Sequence, residues 1–361
     1  MDSTSIQLAS GAAKRSLTPV MTLKGHARNV SSMCYFPNNE QMISAGSADW
    51  TTRRWDLQTG KEIVESRDHL GQEVNAVAVS KDGRWVITAS GSMYSKDPGK
   101  LKAYEVATGI VKSFDYGDTR SINCVDISAD NALLASGATG EGTRIWNMDT
   151  GKLIAGPLKS GHQSSVRAVR FSQDLKKLAV KSEYLEVWDV QSQNFLDVRI
   201  GKPFTGFRPV APAPVFWTNE DKSIVASPNL NASASTIYEF NSETLEIVGA
   251  PFEGHTKDIN SLVLSFDCTF LASASYDNTI KLWAFESRYL LASFSIQDPT
   301  TLTLSPGSRQ LAYTTLTKDD SDHDIYICNI PSDIPAIIGS RHAQEAHSSV
   351  WIHRHKSTVV C

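Results

Sequence analysis

A unit of about 45 residues recurs along this chain, and that recurrence constrains the fold more than any other feature. The clearest copy, residues 254–285, reads GHTKDINSLVLSFDCTFLASASYDNTIKLWAF, with three stretches of alternating apolar residues separated by polar turns. Further copies span 25–57, 74–106, 122–148, 161–190, 214–240 and 299–330. Alternation with period two is typical of strands. Repeats of this size bury a core only when they stack on their neighbours.

The residue that ends the third strand of each unit gives the number of units. These tryptophan-equivalent positions are Trp55, Tyr104, Trp146, Trp188, Tyr238, Trp283 and Cys328. Successive positions lie 42 to 50 residues apart, about the length of a four-stranded unit, and the two longest intervals contain visible insertions at 91–100 and 201–214. No segment shows a persuasive helical period. The sequence therefore predicts an all-β architecture of seven units.

Three signatures in these units resemble the WD40-repeat family across residues 18–334. They are a Gly-His before the first strand, an Asp in the second turn and a Trp-Asp after the third strand, as in Gly25-His26, Asp49 and Trp55-Asp56. The resemblance implies a seven-bladed β-propeller whose ring is closed by an N-terminal strand. Residues 20–26, VMTLKGH, would supply that strand and cover an otherwise unpaired edge.

The same register divides the chain into three segments. We expect a flexible lead at 1–17, the propeller at 18–334, and a histidine-rich tail at 335–361 that is disordered or loosely docked. No stretch approaches the ~20 apolar residues that cross a bilayer, so no membrane insertion is expected. The tail histidines lack the spacing of a metal site, and no cofactor is expected. Five scattered cysteines form no disulfide or zinc pattern, so we expect a cytoplasmic location, with the nucleus as the alternative.

The resemblance also implies a hydrogen-bonded tetrad of His, Ser or Thr, Asp and Trp inside some blades. It assigns His255, Ser273, Asp277 and Trp283 to the sixth repeat, His26, Asp49 and Trp55 to the first with Ala45 at the hydroxyl position, and His162 and Trp188 to the fourth with Ser182 at the Asp position. A Ser, His and Asp set also suggests a hydrolase triad. Since a set buried within a blade leaves no access for substrate, we interpret it as structural.

The net charge and the residues expected to line the channel restrict the classes of function that the chain is expected to have. With 35 Lys and Arg against 39 Asp and Glu, the chain does not favour nucleic-acid or lipid-headgroup binding, which we keep as the alternative. A propeller hydrolase needs a metal cage or a carboxylate pair, and the expected channel residues supply neither: Ser31, Asn75, Asn123, Arg167 and Asn260. We expect a monomeric, non-enzymatic scaffold whose partners are other proteins.

Partner binding is expected on the wide face, the end of the ring built by two sets of loops. The d–a loops join the fourth strand of one blade to the first of the next, and the b–c loops join the second strand to the third. The candidates are Arg28, Arg120, Arg208, Lys257 and Asp258 in d–a loops and Trp50, Tyr94, Tyr184 and Tyr276 in b–c loops. Aromatic and arginine side chains often dominate interface energy. Trp50, where the sixth repeat has Asn278, either packs on a neighbouring loop or contacts a partner.

Overall fold

The computed structural model describes residues 14–47, 49–64, 68–69, 71–158, 165–201, 214–228, 235–316 and 323–334. Its first fifteen strands are β1 (Lys14–Arg15), β2 (Pro19–Leu23), β3 (Val30–Tyr35), β4 (Gln41–Gly46), β5 (Thr51–Asp56), β6 (Lys61–Glu62), β7 (Asp68–His69), β8 (Val74–Val79), β9 (Trp85–Ser90), β10 (Leu101–Glu105), β11 (Val111–Phe114), β12 (Ile122–Ile127), β13 (Leu133–Ala138), β14 (Gly142–Asn147) and β15 (Leu153–Leu158).

The remaining strands are β16 (Ala168–Phe171), β17 (Lys177–Lys181), β18 (Leu185–Asp189), β19 (Phe195–Ile200), β20 (Phe216–Trp217), β21 (Ser223–Ala226), β22 (Tyr238–Asn241), β23 (Ile259–Leu264), β24 (Phe270–Ser275), β25 (Thr279–Ala284), β26 (Leu290–Ser295), β27 (Pro299–Leu304), β28 (Gln310–Thr315) and β29 (Ile325–Asn329). A short 3-10 helix covers Asn219–Asp221. Within the described residues, no helix is long and apolar enough to cross a membrane.

These strands form seven sheets, which we call blades one to seven. Blade one contains β3 to β6, with β7 also paired to β5, and blades two to six start at β8, β12, β16, β20 and β23; blade seven combines β27 to β29 with β2. The first strands of neighbouring blades contact one another, for example β3 with β8 and β27 with β3. The predicted seven-bladed, all-β ring is confirmed.

The apolar core is divided among the joints between blades, because each sheet packs both of its faces against neighbouring sheets. Ala45 of blade one packs in one cluster with Val74 and Val77 of blade two. Ala274 of blade six likewise shares a cluster with Leu302 of blade seven. Burying a side chain of valine or leucine size contributes about 1.5–3 kcal/mol, so the joints supply much of the stability of the ring.

An N-terminal strand closes the ring, as predicted. β2 pairs antiparallel with β29, with Leu23 opposite Ile325, and so becomes the outer strand of blade seven. The preceding residues are also held: Lys14 and Arg15 pair in parallel with β26 of blade six, and Leu17 is buried between blades six and seven. Lys14, Arg15 and Leu17, which the sequence assigned to a flexible lead, therefore contact blades six and seven, and the division of the chain into three segments stays a prediction. The tail at 335–361 lies outside the described residues.

Blade five corrects one sequence prediction. Ile224 lies opposite Phe240 in the register in which Leu271 of blade six lies opposite Trp283. Phe240, which is fully buried, is therefore the tryptophan equivalent, and the prediction of Tyr238 was wrong. The two aromatic residues lie two apart and so share one face of the strand, and the insertion at 201–214 left the repeat length unable to choose between them.

Candidate partner-binding face

The d–a and b–c loops lie at the same end of the ring because the strands within a blade are antiparallel. The first strand begins, the second ends and the third begins at this edge, so their loops meet there. Trp50, Tyr94, Tyr184 and Tyr276 all fall between second and third strands, and Arg28, Arg120, Lys257 and Asp258 all precede first strands. Arg208 and His162 lie outside the described residues. The loop positions match the prediction; a binding role for these residues stays a prediction.

A tetrad in blade six anchors the loops of this face. His255 Nδ1 lies 2.9 Å from the Asp277 carboxylate, and His255 Nε2 lies 2.7 Å from Ser273 Oγ. Trp283 Nε1 donates to the same Ser273 oxygen at 2.9 Å. The Asp277 carboxylate also accepts the amide of Thr279 at 3.0 Å. The chain of bonds ties a d–a loop to a b–c turn through two buried strands.

Blade one contains a complete tetrad, which the sequence analysis had missed. His26 bonds Asp49 at 2.7 Å and Ser44 Oγ at 2.7 Å, and Trp55 Nε1 donates to Ser44 Oγ at 2.8 Å. The hydroxyl is that of Ser44, so the assignment of this position to Ala45 was wrong. Adjacent strand residues point to opposite faces, and Ala45 faces the joint with blade two.

Blade three completes the same network with a different residue. Trp146 Nε1 donates to Ser136 Oγ at 2.8 Å, and Ser136 Oγ donates to the Tyr116 hydroxyl at 3.0 Å. Tyr116 thus replaces the histidine from a d–a loop that has no Gly-His. The sequence signal was an aromatic residue six positions before the first strand, which the repeat pattern did not single out.

Blade four lacks the tetrad in its described part. Val180 lies opposite Glu186 in the register in which Ser273 of blade six lies opposite Lys281. Val180 therefore occupies the position of the tetrad hydroxyl. Its b–c turn is two residues shorter than that of blade six. Ser182 therefore aligns with Ser275, and blade four has no counterpart of Asp277. Our placement of Ser182 at the Asp position was therefore wrong. Trp188 packs instead against Phe195, with ring centroids 5.3 Å apart.

The tetrad carboxylates are held in their charged form. Burial by itself would raise the pKa of Asp49, but the hydrogen bonds from His26 and Thr51 outweigh it and lower that pKa to about 2. Hydrogen bonds from His255, Thr279 and Thr256 likewise lower the pKa of Asp277 against the effect of burial. Burial also lowers the pKa of His255. The charged carboxylates therefore strengthen the hydrogen bonds that hold the loops of this face.

The turn beyond the tetrad of blade one presents an unusual aromatic residue. Trp50 has φ of 58°, in the left-handed region, and its side chain is 50% exposed. The equivalent residue in blade six is Asn278, with φ of 64°. Asparagine tolerates this conformation, whereas a bulky residue there is an outlier with a cost of about 1–2 kcal/mol. Asp49 fixes the turn by accepting the Thr51 amide at 3.1 Å, so the strained tryptophan is held in place.

The other predicted aromatic residues differ in exposure. Tyr94 is 85% exposed on the insertion of blade two, and Tyr276 is 38% exposed beside the Asp277 turn. Burial, then the Asp258 carboxylate, raise the pKa of Tyr276, while Arg167 lowers it. Arg167 of blade four and Tyr276 of blade six therefore interact electrostatically at the mouth of the channel.

A partial ring of side-chain hydrogen bonds joins the first strands around the channel, at five of the seven joints between blades. In each case a side chain near the start of one first strand donates to the carbonyl at the start of the next. These donors and carbonyls are Ser31 to Val74, Asn75 to Ile122, Asn123 to Val166, Asn260 to Pro299 and Thr301 to Val30. No three His, Cys, Asp or Glu residues in the described ranges form a group that could hold a metal. The polar channel residues thus serve assembly of the ring.

Comparison with known proteins agrees with this architecture. The family model described as "WD domain, G-beta repeat" matches residues 17–56, 60–95, 110–147 and 247–284. The first match runs from β2 to the end of β5, and so includes the strand that closes blade seven. The offset between sequence repeat and blade is the one that closure by an N-terminal strand requires.

Several curated proteins are similar over most of this chain. Guanine nucleotide-binding protein subunit beta of Arabidopsis thaliana is 25% identical over 77% of this chain and 62% of its own length. Apoptotic protease-activating factor 1 of Rattus norvegicus is 26% identical over 74% of this chain and 19% of its own length. Periodic tryptophan protein 2 of Arabidopsis thaliana is 24% identical over 68% of this chain and 26% of its own length. The match spans less than two thirds of each relative.

Proposed function

This chain is a WD40-repeat β-propeller protein, and from that premise we propose that it is a scaffold that binds a protein partner on its wide face. Proteins of this kind serve generally as protein-interaction scaffolds. The finer proposal places the binding surface on the d–a and b–c loops, centred on Trp50 of blade one and Tyr276 of blade six. A cytoplasmic location, with the nucleus as the alternative, remains part of the proposal.

The geometry of Trp50 carries this proposal. A large apolar side chain that is half exposed gains little from burial, and its left-handed backbone costs stability in addition. Asparagine at the same position in blade six shows that the turn itself does not require a tryptophan. Strain of this kind is concentrated at functional sites. Tryptophan is also among the residues that contribute most to protein interfaces.

The test is Trp50→Asn, which installs the residue found in blade six. We expect it to raise the free energy of unfolding by up to about 1 kcal/mol, because the strain is relieved. We expect loss of partner recovery, since truncation of an interface hot spot weakens binding by about 2 kcal/mol or more, roughly thirtyfold. The measurement is comparative affinity purification of wild type and variant with quantitative mass spectrometry, together with urea unfolding.

Phe266→Ala is the matched control. Phe266 is 84% exposed and lies in the turn between β23 and β24, at the opposite end of blade six. It should leave partner recovery unchanged. A broader variant, with Arg28, Trp50, Lys257 and Tyr276 all replaced by alanine, covers a site that extends over blades one and six. If that folded variant retained every partner that wild type recovers, the wide-face assignment would be wrong.

A further inference from the structure

Blade four differs from all other blades at one position near the end of its second strand. Lys181 lies opposite Ala168 in the register in which Ala45 lies opposite Ser32 and Ala274 lies opposite Ser261. The residues at the equivalent position of the other blades are small and buried: Ala45, Ala89, Gly137, Ser227, Ala274 and Thr314. Only blade four has a long cationic side chain there.

This position faces the joint with the following blade. A Cβ added to Gly137 of blade three would meet Val166 of blade four at 2.3 Å, and Ala45 packs against Val74 of blade two. Lys181 therefore faces the joint between blades four and five, close to the channel mouth. It is 8% exposed, so an ammonium group is held where the other blades have small, uncharged side chains or a glycine hydrogen.

The ammonium of Lys181 has more donors than the described residues satisfy. Among the described residues, the Lys181 ammonium donates to the carbonyl oxygen of Ser182 at 3.0 Å. An ammonium carries three donors, and a buried charge is costly unless it is paired. Burial, followed by the charge of Arg167, lowers the pKa of Lys181 to about 8. The site therefore disfavours its own positive charge and would gain from an added anion.

Arg167 adds a second cation at the same place. Its amide donates to the carbonyl of Lys181 at 2.8 Å, so the two residues are adjacent across β16 and β17. Arg167 occupies the position at which other first strands carry the neutral residues of the channel ring, such as Asn123 and Asn260. Glu183 opposes these charges and favours the protonated form of both cations, and Tyr276 does the same for Arg167. The net charge of the trio is positive.

We infer that Arg167 and Lys181 form a subsite for an anionic oxygen group of the partner, a carboxylate or a phosphate on an acidic segment that enters the channel mouth. The subsite rests on the proposed scaffold function and specifies the chemistry of the partner. Charge-assisted hydrogen bonds to a carboxylate or phosphate are about twice as strong as neutral ones. Such a group would satisfy the Lys181 donors and offset the repulsion between the two cations.

The test uses small anions with the whole chain. Phosphate and acetate are titrated at constant ionic strength against chloride, with binding followed by ³¹P line broadening for phosphate and by the thermal midpoint for both. The key variant is Lys181→Ala, which should fold because four of the other blades carry alanine or glycine at this position. We expect its affinity for the anion to fall at least tenfold relative to wild type. A stronger response to phosphate than to acetate would identify a phosphorylated segment, and the reverse an acidic one.

Two further variants make the result specific. Glu183→Gln removes the internal carboxylate that competes for the cations, so anion binding should strengthen. Lys176→Ala removes an exposed lysine at the opposite end of blade four and should leave it unchanged. Equal responses of wild type and Lys181→Ala, or no response of wild type, would overturn the subsite. Trp50→Asn should retain anion binding, so loss of partner recovery in that variant together with full recovery by Lys181→Ala would uphold the scaffold and reject the subsite.

Discussion

The hydroxyl of Thr301 in blade seven donates to the backbone carbonyl of Val30 in blade one at 3.2 Å, across the seam where the ring closes. It repeats at this seam the bond that Asn123 of blade three makes to Val166 of blade four. The seam is thus closed on its inner side by a side-chain bond and on its outer side by pairing of β2 with β29. Inner and outer closure can be removed separately.

Thr301→Val removes the inner bond and keeps the shape of the side chain. We expect a loss of about 1 kcal/mol in the free energy of unfolding, because the Val30 carbonyl loses its donor. Thr303→Val in the same strand is the control and should change it by less than about 0.5 kcal/mol. The measurement is urea unfolding of each variant, and equal effects of the two substitutions would show that the seam bond contributes nothing.

Deletion of residues 1–23 removes the outer closure. It takes away β1 and β2 and leaves the edge of β29 unpaired, and unpaired edges promote association between chains. We expect a lower melting temperature and aggregation detectable by light scattering. Deletion of residues 340–361, beyond the repeat register, is the comparison and should melt close to wild type. If both truncated proteins melted alike, β2 would not be the strand that holds the ring closed.

Ser44→Ala tests the tetrad of blade one. His26 and Trp55 both lose their hydroxyl partner, so we expect a cost of about 1–3 kcal/mol. Ala45→Ser should also destabilise, since it places a hydroxyl in the apolar joint with blade two. Were Ala45 at the tetrad position, this second change would stabilise the protein instead. Chemical denaturation of the two variants distinguishes the two registers by the sign of the Ala45→Ser effect.

Stability should fall on acidification through the tetrads. The pKa values of Asp49 and Asp277 are lowered in the folded protein, so the folded state binds fewer protons than the unfolded state near pH 3. Their contribution is complete above pH ~4, the unfolded value, and is lost as pH falls towards about 2. The lowered pKa of His255 acts in the same direction below pH ~6.5.

Asp277→Asn isolates one carboxylate. We expect its free energy of unfolding to depend on pH between 5 and 3 less steeply than that of wild type, by about 1–2 kcal/mol over the interval. Urea unfolding at several pH values gives both slopes. Parallel curves for wild type and variant would mean that Asp277 gains no stability from its charge.

The repeat pattern was sufficient for the number of blades, because that number follows from spacing along the chain, whereas closure by β2 was implied by the resemblance to the WD40-repeat family. It was insufficient wherever a shift of one or two residues changes the outcome. Ser44 and Ala45 are adjacent, and a one-residue slip exchanges the two faces of a strand. Tyr116 reaches Ser136 from a loop whose length differs from that of the Gly-His loops. Such contacts depend on three-dimensional register, which the spacing of a degenerate repeat leaves open.

For the candidate site, too, some features could be predicted from the sequence and others could not. The sequence predicted that Trp50 lies at the tip of a turn. Repeats one and six match the family pattern well, so counting residues within each repeat aligns Trp50 with Asn278. It gave no indication of the left-handed backbone or of the half-exposed ring. Lys181 was not singled out, because a lysine ending an amphipathic strand is ordinarily solvated. Its burial depends on packing between blades four and five, and no local pattern reports that packing.

Closure by β2 has a consequence for synthesis of the chain. β2 leaves the ribosome about 300 residues before its partner β29. Throughout that interval the first-made strand has no place in the sheet to which it belongs. Contacts between such distant segments are slow to form because the loop between them must first close. Blade seven should therefore be the last to assemble, and a nascent chain short of Ile325 would present two open sheet edges to the chaperones that meet it.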